Sequence, residues 1–215
     1  MIAVLASRLD PEAQSVVSDW RSAGAALLSA EDLGQTGWEF RPLDPAGGTA
    51  VVGGQRTRVT DLRAVLARRP AVLAEELGRI DSGDRAYVAA ETNAFLVAWL
   101  SALTCAVVNR PTPRSLCGPA WDQLHWRAAA SRLRLAWAEK DDAAEAHEVV
   151  LCGGKCLFAR TSSEAAIAAA LAREAGVELL GVRFQDDRVS HVTVAPSLAD
   201  DDVRACLLAH LMRDP

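Results

Sequence analysis

The chain has 215 residues, 50% of them hydrophobic and 24% charged, which supplies a proper core and leaves room for one domain or two small ones. A net charge of -5, with the arginines scattered rather than clustered, excludes the basic surface that nucleic-acid binding needs. The longest apolar run, residues 94–108, is interrupted by Ser101 and Thr104 and is too short to span a bilayer. The opening MIAVLASRLD lacks the basic and apolar regions of a signal peptide, so a cytoplasmic setting is expected.

In chain order, residues 2–6 are an apolar run closed by Ser7-Arg8-Leu9-Asp10-Pro11, which reads as a buried strand entering a helix. Asp10 falls at the N-cap and Pro11 at the first helical position, and Gly24 stops the helix after Ala23. Residues 25–29 read as a second strand, and this β-α-β opening predicts a parallel sheet with right-handed crossovers. Ligands of such sheets sit at the carboxyl ends of the strands, which puts Ser7 and Arg8 where a ligand would be; a loop-capping role for Arg8 is the alternative.

Residues 33–46 are loop-like, with Trp38 and Phe40 alternating across a short extended piece. Residues 49–59 read as a hairpin in which Gly53-Gly54 supplies the positive φ angles of a tight turn. Gly47-Gly48 has neither P-loop lysine nor GxGxxG context, so it is read as turn chemistry. Residues 62–77 alternate irregularly and are read as a short helix with a strand at 71–74.

Residues 85–118, RAYVAAETNAFLVAWLSALTCAVVNRPTPRSLCG, organise the chain as a long helix, a short buried strand and a proline-pinned loop. The helix starts near residues 82–84 and reaches Ala102, with Tyr87, Ala90, Glu91, Ala94, Phe95, Ala98 and Trp99 at the spacing of one face. Glu91 is either a buried acid on that face or, more plainly, a surface group. Residues 105–108 form a β-branched strand ending in Asn109-Arg110-Pro111-Thr112-Pro113, whose prolines stiffen the loop.

Residues 121–134 read as a helix with Trp126 and Leu133 inward, and residues 148–160 as a hairpin about Gly153-Gly154. Thr161-Ser162-Ser163-Glu164 is a capping box opening a helix that Gly176 ends. Strands over 177–184 and 191–196 flank a turn at Asp186-Asp187, and a last helix over 200–212 buries Val203, Cys206, Leu207, His210 and Leu211.

The five cysteines are an odd number in a chain expected to be reduced, and Cys105 and Cys206 read as small buried hydrophobes. A two-residue hairpin turn sets Cys152 against Lys155 and Leu151 against Cys156, so the two thiols point to opposite faces and do not make a zinc pair. The four histidines have no helical partner four residues away, and His210 reads as a hydrogen-bonded core histidine. Ser190, His191 and Asp186 or Asp187 alternate across strand, turn and strand instead of converging as a triad. Trp99, Trp126 and Trp137 suit core positions, while Trp38 and Trp121 lie in loop-like segments suited to partner contact.

The first strand, the long helix, Val107-Val108-Asn109-Arg110-Pro111 and Leu116-Cys117-Gly118-Pro119 together resemble the pre-ATP-grasp domain. That is the substrate domain of ATP-grasp ligases, such as the glutathione-synthetase-like enzymes and those that modify ribosomal peptides. The hairpin, capped helix and two strands of residues 148–196 are similar to the core of the same family. The resemblance implies an α/β chain, with a parallel-sheet pre-ATP-grasp-like domain over residues 1–120 and a reduced antiparallel α+β ATP-grasp-core remnant over residues 121–215.

That family carries an acidic metal ligand in the first of its two last core strands and Glu-x-Asn-Pro in the second. Here Arg183 stands at the first place, and Thr193 and Ala195 precede Pro196 at the second. Magnesium takes carboxylate or amide oxygens, so the usual site is not expected to form. Only AEKDDAAEA lies between Trp137 and His147, where the family has a lid domain supplying lysines and the adenine pocket. No catalytic residue is therefore assigned, and neither ATP nor magnesium is an expected cofactor.

Three functions stay open. The first is a non-catalytic pseudo-ligase that binds a peptide or protein partner, with Trp38 and Trp121 in the contact, as an accessory subunit of a peptide-modification pathway. The second is an enzyme, or a nucleotide- or small-anion-binding protein, in which Arg8, Asn109, Arg110, Thr112 and Arg183 gather around the anion. The third is a structural homodimer using the sheet edge of the shortened core. Nucleic acid and membrane are not expected partners.

Overall fold

Asp10 and Pro11 do at the start of the first helix what their positions require, and the first unit builds outward from there. The computed structural model describes residues 1–139 and 146–213. Contacts divide the chain into two units, Met1–Gly118 joined by the residues from Leu211 on, and Pro119–His210.

In the first unit β1 (Ile2–Leu5) is wholly buried. α1 (Pro11–Asp19) follows, with the Asp10 carboxylate accepting from the Ala13 N–H at 3.0 Å. A 3-10 turn over Arg21–Ala23 leads through Gly24, at φ 77, into β2 (Ala25–Leu28). α2 (Ala30–Leu33) is a single turn. β3 (Thr49–Val52) and β4 (Gln55–Arg58) form the hairpin about Gly53 and Gly54. β5 (Ala64–Ala67), α3 (Arg85–Ala102) and β6 (Ala106–Val108) complete the unit. The main sheet is parallel throughout, in the order β2-β1-β5-β6. Because the connections from β1 and from β5 run outward in opposite directions, the carboxyl ends of these two strands flank the topological switch point.

Two expectations in this unit are corrected. Ala64–Ala67 is a fully buried strand rather than part of a helix over 62–77, and the strand expected at 71–74 is an arm entering a 3-10 turn at Ala74–Glu76. A four-residue apolar run is ambiguous by periodicity, and pairing between β1 and β6 decides it. The inward side of α3 is Ala89, Leu96, Trp99 and Leu100, whereas Tyr87, Ala90, Glu91, Ala94 and Ala98 are exposed. The helix is apolar almost all round, so spacing alone admits more than one buried face; Glu91 is a surface group.

The second unit contains α4 (Gln123–Arg132), β7 (His147–Cys152), β8 (Lys155–Leu157), α5 (Ser162–Ala175), β9 (Leu179–Gln185), β10 (Arg188–Thr193) and α6 (Asp201–Leu211). Its sheet is antiparallel, in the order β10-β9-β7-β8. Cys152 pairs with Lys155 and Leu151 with Cys156, the register the Gly-Gly turn predicts. Asp186 and Asp187 have φ 48 and 60, the left-handed pair that a two-residue hairpin turn needs. The Thr161 hydroxyl accepts from the Glu164 N–H at 3.2 Å, while the Glu164 carboxylate accepts from the Arg160 N–H at 2.7 Å; Gly176, at φ 65, ends the helix.

The register sorts this sheet into two faces. Val149, Leu151, Leu180, Val182, Phe184 and Val192 share one with Trp126 and Ala130 of α4 and Ala168, Leu171 and Ala172 of α5, and together they form the core. The other face carries Glu148, Val150, Gly181, Arg183, His191 and Thr193. Among the described residues no helix is long and apolar enough to cross a membrane.

Candidate functional site

At the carboxyl ends of the parallel strands the first unit concentrates its charge. β1 runs into Ser7 and Arg8, and the Arg8 Nε lies 2.6 Å from a Glu31 carboxylate oxygen and 3.4 Å from the Ser29 hydroxyl. β5 runs into Arg68 and Arg69, which are largely buried. Arg68 donates to Asp10 at 3.0 Å and to Glu12 at 2.8 Å. Asp10 thus caps α1 with one oxygen and holds a guanidinium with the other. Arg69 forks onto both oxygens of Glu76 and donates through Nε to the Ala71 carbonyl at 2.7 Å. Burial by itself would raise the Glu76 carboxyl, but Arg69, the Leu73 N–H and the Ser7 hydroxyl outweigh it and hold the carboxyl below its ordinary range. Beside α2, the buried Asp32 accepts from the Ser29 N–H at 2.8 Å and the Gly54 N–H at 2.7 Å, tying that turn to the β3–β4 hairpin.

The other residues singled out in this unit are held by the fold. Asn109 ends β6 buried at 3% exposure with φ 50, in the left-handed region that asparagine tolerates. Arg110 turns back to the carbonyls of Leu100, Leu103 and Cys105 at 3.2–3.4 Å, capping the open end of α3. The Thr112 hydroxyl donates to the Gly118 carbonyl at 3.2 Å. Trp38 donates through Nε1 to the Asp32 carbonyl at 2.8 Å and meets Phe95 and Trp99 edge-on, with centroids 5.5 and 5.3 Å away. Arg8 and Asn109 therefore share the carboxyl edge of one sheet, two strands apart, while the Arg110 guanidinium is committed to α3. Arg68, Arg69, Glu76 and Asp32 escaped the sequence reading; Arg-Arg-Pro after an apolar run was the available signal for the first two.

In the second unit Trp121 stacks edge-on against Trp126 at 4.8 Å and packs against the core. Arg183 sits mid-strand in β9, directly across from Glu148 of β7 on one side and His191 of β10 on the other. Gly181 is next on this face, and a Cβ there would run into the Glu148 carboxylate and press on Thr193 and Pro196. The Thr193 hydroxyl accepts from the Ala195 N–H at 3.1 Å. A guanidinium, a hydroxyl already used as an acceptor and a methyl group do not make a magnesium site: the cation repels the ion, and Ala195 brings no side-chain oxygen. Among the described residues no group of three or more His, Cys, Asp or Glu could hold a metal ion. The stretch AEKDDAAEA, where a lid was expected to be missing, includes residues 140–145, which lie outside the described residues.

A parallel sheet with a central long helix, followed by an antiparallel sheet backed by two helices, is the fold of ATP-grasp ligases. It is matched over 99% of this chain and 98% of the other, at TM-score 0.70 and 13% identity, by the ATP-grasp ligase PsnB complexed with minimal precursor, magnesium and ADP. The macrocyclase MdnC from Microcystis aeruginosa, bound with precursor peptide MdnA, matches at TM-score 0.64 and 10% identity over 91% of this chain and 92% of the other. A RiPP-associated ATP-grasp ligase from Chryseobacterium gregarium, in complex with ADP and a leader and core peptide, matches at TM-score 0.66 and 8% identity over 98% and 96%. No family model matches the chain, and no curated protein matches it.

Proposed function

We propose that this chain is a non-catalytic pseudo-ligase that binds a peptide as an accessory factor of a peptide-modification pathway. The observation that carries the reading is a replacement inside a retained fold. Arg183, Thr193 and Ala195 stand where the resemblance implies an acid, a glutamate and an asparagine, and the strands around them keep an unbroken register from Gly181 to Arg183 against β7. Structural neighbours are complexed with precursor peptides, which supports a peptide as the partner. In this reading residues 1–120 are the substrate half and residues 121–215 a shortened core. The protein works in the cytoplasm, with no nucleic acid or membrane, and a homodimer is compatible with it.

Titration calorimetry with ATP and ADP, with and without magnesium, tests the proposal. Silence at millimolar nucleotide is the expected result, and magnesium-dependent ATP turnover by the pure protein would sink it. The same replacement favours a second reading, in which Arg183 offers an anion the charge that magnesium offers elsewhere. Nucleotide or phosphate binding that needs no magnesium and disappears in Arg183→Ala would select that reading.

A further inference from the structure

α3 presents Val88, Thr92 and Phe95 at the i, i+4, i+7 spacing of one side. Two cavities of about 330 and 380 Å³ lie along this side and share Leu33 and Thr92, so they adjoin as the two ends of a groove beside α2, α3 and the loop after Glu76. Arg79 lines one end; Trp38, Phe95 and Glu91 line the other. Leu33, Leu77, Ile80 and Val88 make the walls between them apolar.

Both walls are preformed. The Trp38 ring is fixed by its bond to the Asp32 carbonyl and its edge contact with Phe95. The loop is fixed by Glu76, which accepts from the Leu73 N–H at 3.0 Å and is gripped by Arg69, and by Arg85, which donates to the Ile80 carbonyl at 2.9 Å and the Gly78 carbonyl at 3.3 Å. A groove that is already shaped loses little freedom when it is filled.

Charge narrows the occupant. Glu31 and Glu76 on the walls are neutralised by Arg8 and Arg69. Among the described residues, the side chains of Arg79, Glu91 and Thr92 have no ion pair or hydrogen bond. The groove is therefore apolar in the middle, cationic at one end and anionic at the other. From Val88 to Phe95 the helix rises about 10 Å, roughly three residues of extended chain.

We infer that this groove binds an extended peptide segment of about three apolar residues flanked by one acidic and one basic residue, the acid meeting Arg79 and the base meeting Glu91. The inference rests on the peptide-binding reading and names where that peptide lies. Single apolar anchors in such pockets carry most of the affinity, and the flanking charges set direction.

The test uses three blocked, dye-labelled synthetic peptides read by fluorescence anisotropy: Glu-Leu-Leu-Leu-Lys, its charge-reversed counterpart Lys-Leu-Leu-Leu-Glu, and Gln-Leu-Leu-Leu-Gln. One of the two charged peptides is expected to bind about tenfold tighter than the neutral one. Arg79→Glu combined with Glu91→Lys, both at exposed positions, is expected to reverse the preference between the two charged peptides. Thr92→Phe, which fills the groove, is expected to abolish binding; if circular dichroism shows that it fails to fold, Leu33→Asn takes its place. Equal binding of all three peptides, or a preference the charge swap leaves unchanged, overturns the inference. So does N-acetyl-leucine amide binding as tightly as a pentapeptide. Peptide binding that persists in Thr92→Phe overturns the groove but leaves the peptide-binding reading standing, whereas ATP turnover in the calorimetric assay strikes that reading and not the groove.

Discussion

In the parallel sheet of the first unit, charge is pushed out to the strand ends, where Arg68 and Arg69 meet Asp10, Glu12 and Glu76. In the antiparallel sheet of the second unit, charge lies within the strands, with Glu148 and His191 on either side of Arg183. The difference follows from what covers each sheet. β1 and β5 are buried on both faces, so only their ends are available for polar groups. In the second unit α4 and α5 cover one face, and alternation along the strands puts Glu148, Arg183 and His191 on the other, beside the buried Val150 and Leu179. Arg183 and Thr193 lie on that face, outside the cluster that α4 and α5 cover.

The largest effect should come from the core face. Trp126→Ala removes a fully buried indole from the cluster under the antiparallel sheet and should cost about 3–5 kcal/mol in denaturant unfolding. A smaller loss there would mean that the α4 contact is dispensable and the two faces are less distinct than drawn. Next come the strand ends of the first unit. Arg69→Met leaves Glu76 without its guanidinium in a largely buried setting and should cost about 2–3 kcal/mol, less than a fully buried pair because Glu76 keeps some solvent contact. If Arg69→Met is neutral, the cluster contributes nothing to the fold and the strand ends are open to a ligand after all.

Glu164 tests the core side of the second unit through pH. Burial alone would raise this carboxyl, but the Arg160 N–H, the His147 imidazole 3.1 Å away and the Thr161 backbone together hold it below its ordinary value of 4.5. A lowered folded pKa gives stability that is present above about 4.5 and is lost as pH falls through the folded value. Glu164→Gln should therefore flatten the loss of stability on acidification below that point, read from urea midpoints at stepped pH. An unchanged acid limb would place the titrating groups elsewhere. A smaller effect on folding than that of Trp126→Ala is expected from the triple change Arg183→Asp, Thr193→Glu and Ala195→Asn. Calorimetry should then find magnesium binding stronger than that of the parent chain. A stability loss comparable to Trp126→Ala would show that this face is tied into the core.

The sequence was legible where local chemistry decides. Asp10-Pro11 opens the first helix, Gly53-Gly54 and Gly153-Gly154 mark hairpins, and the Cys152–Lys155 register follows from turn length alone. It was misread where distant contacts decide. The inward side of α3 is set by what packs on it, and Ala64–Ala67 is a strand because β1 and β6 lie beside it. Arg68 finds its carboxylates 58 and 56 residues away, and no spacing rule reaches that far. The places of Arg183 and Thr193 could be read because each sits in a strand. The groove could not, because Leu33, Arg79 and Thr92 meet only after folding.

β1 also has a consequence in time. Ile2 lies between Ala25 and Ala64, so β1 waits for a partner made roughly sixty residues later. At about 5–20 residues per second, that is a delay of several seconds with one edge of an apolar strand unpaired. The β9–β10 hairpin, closed across a two-residue turn, needs only microseconds once it emerges. β1 thus completes its pairing slowly, with one edge unpaired until β5 is synthesised.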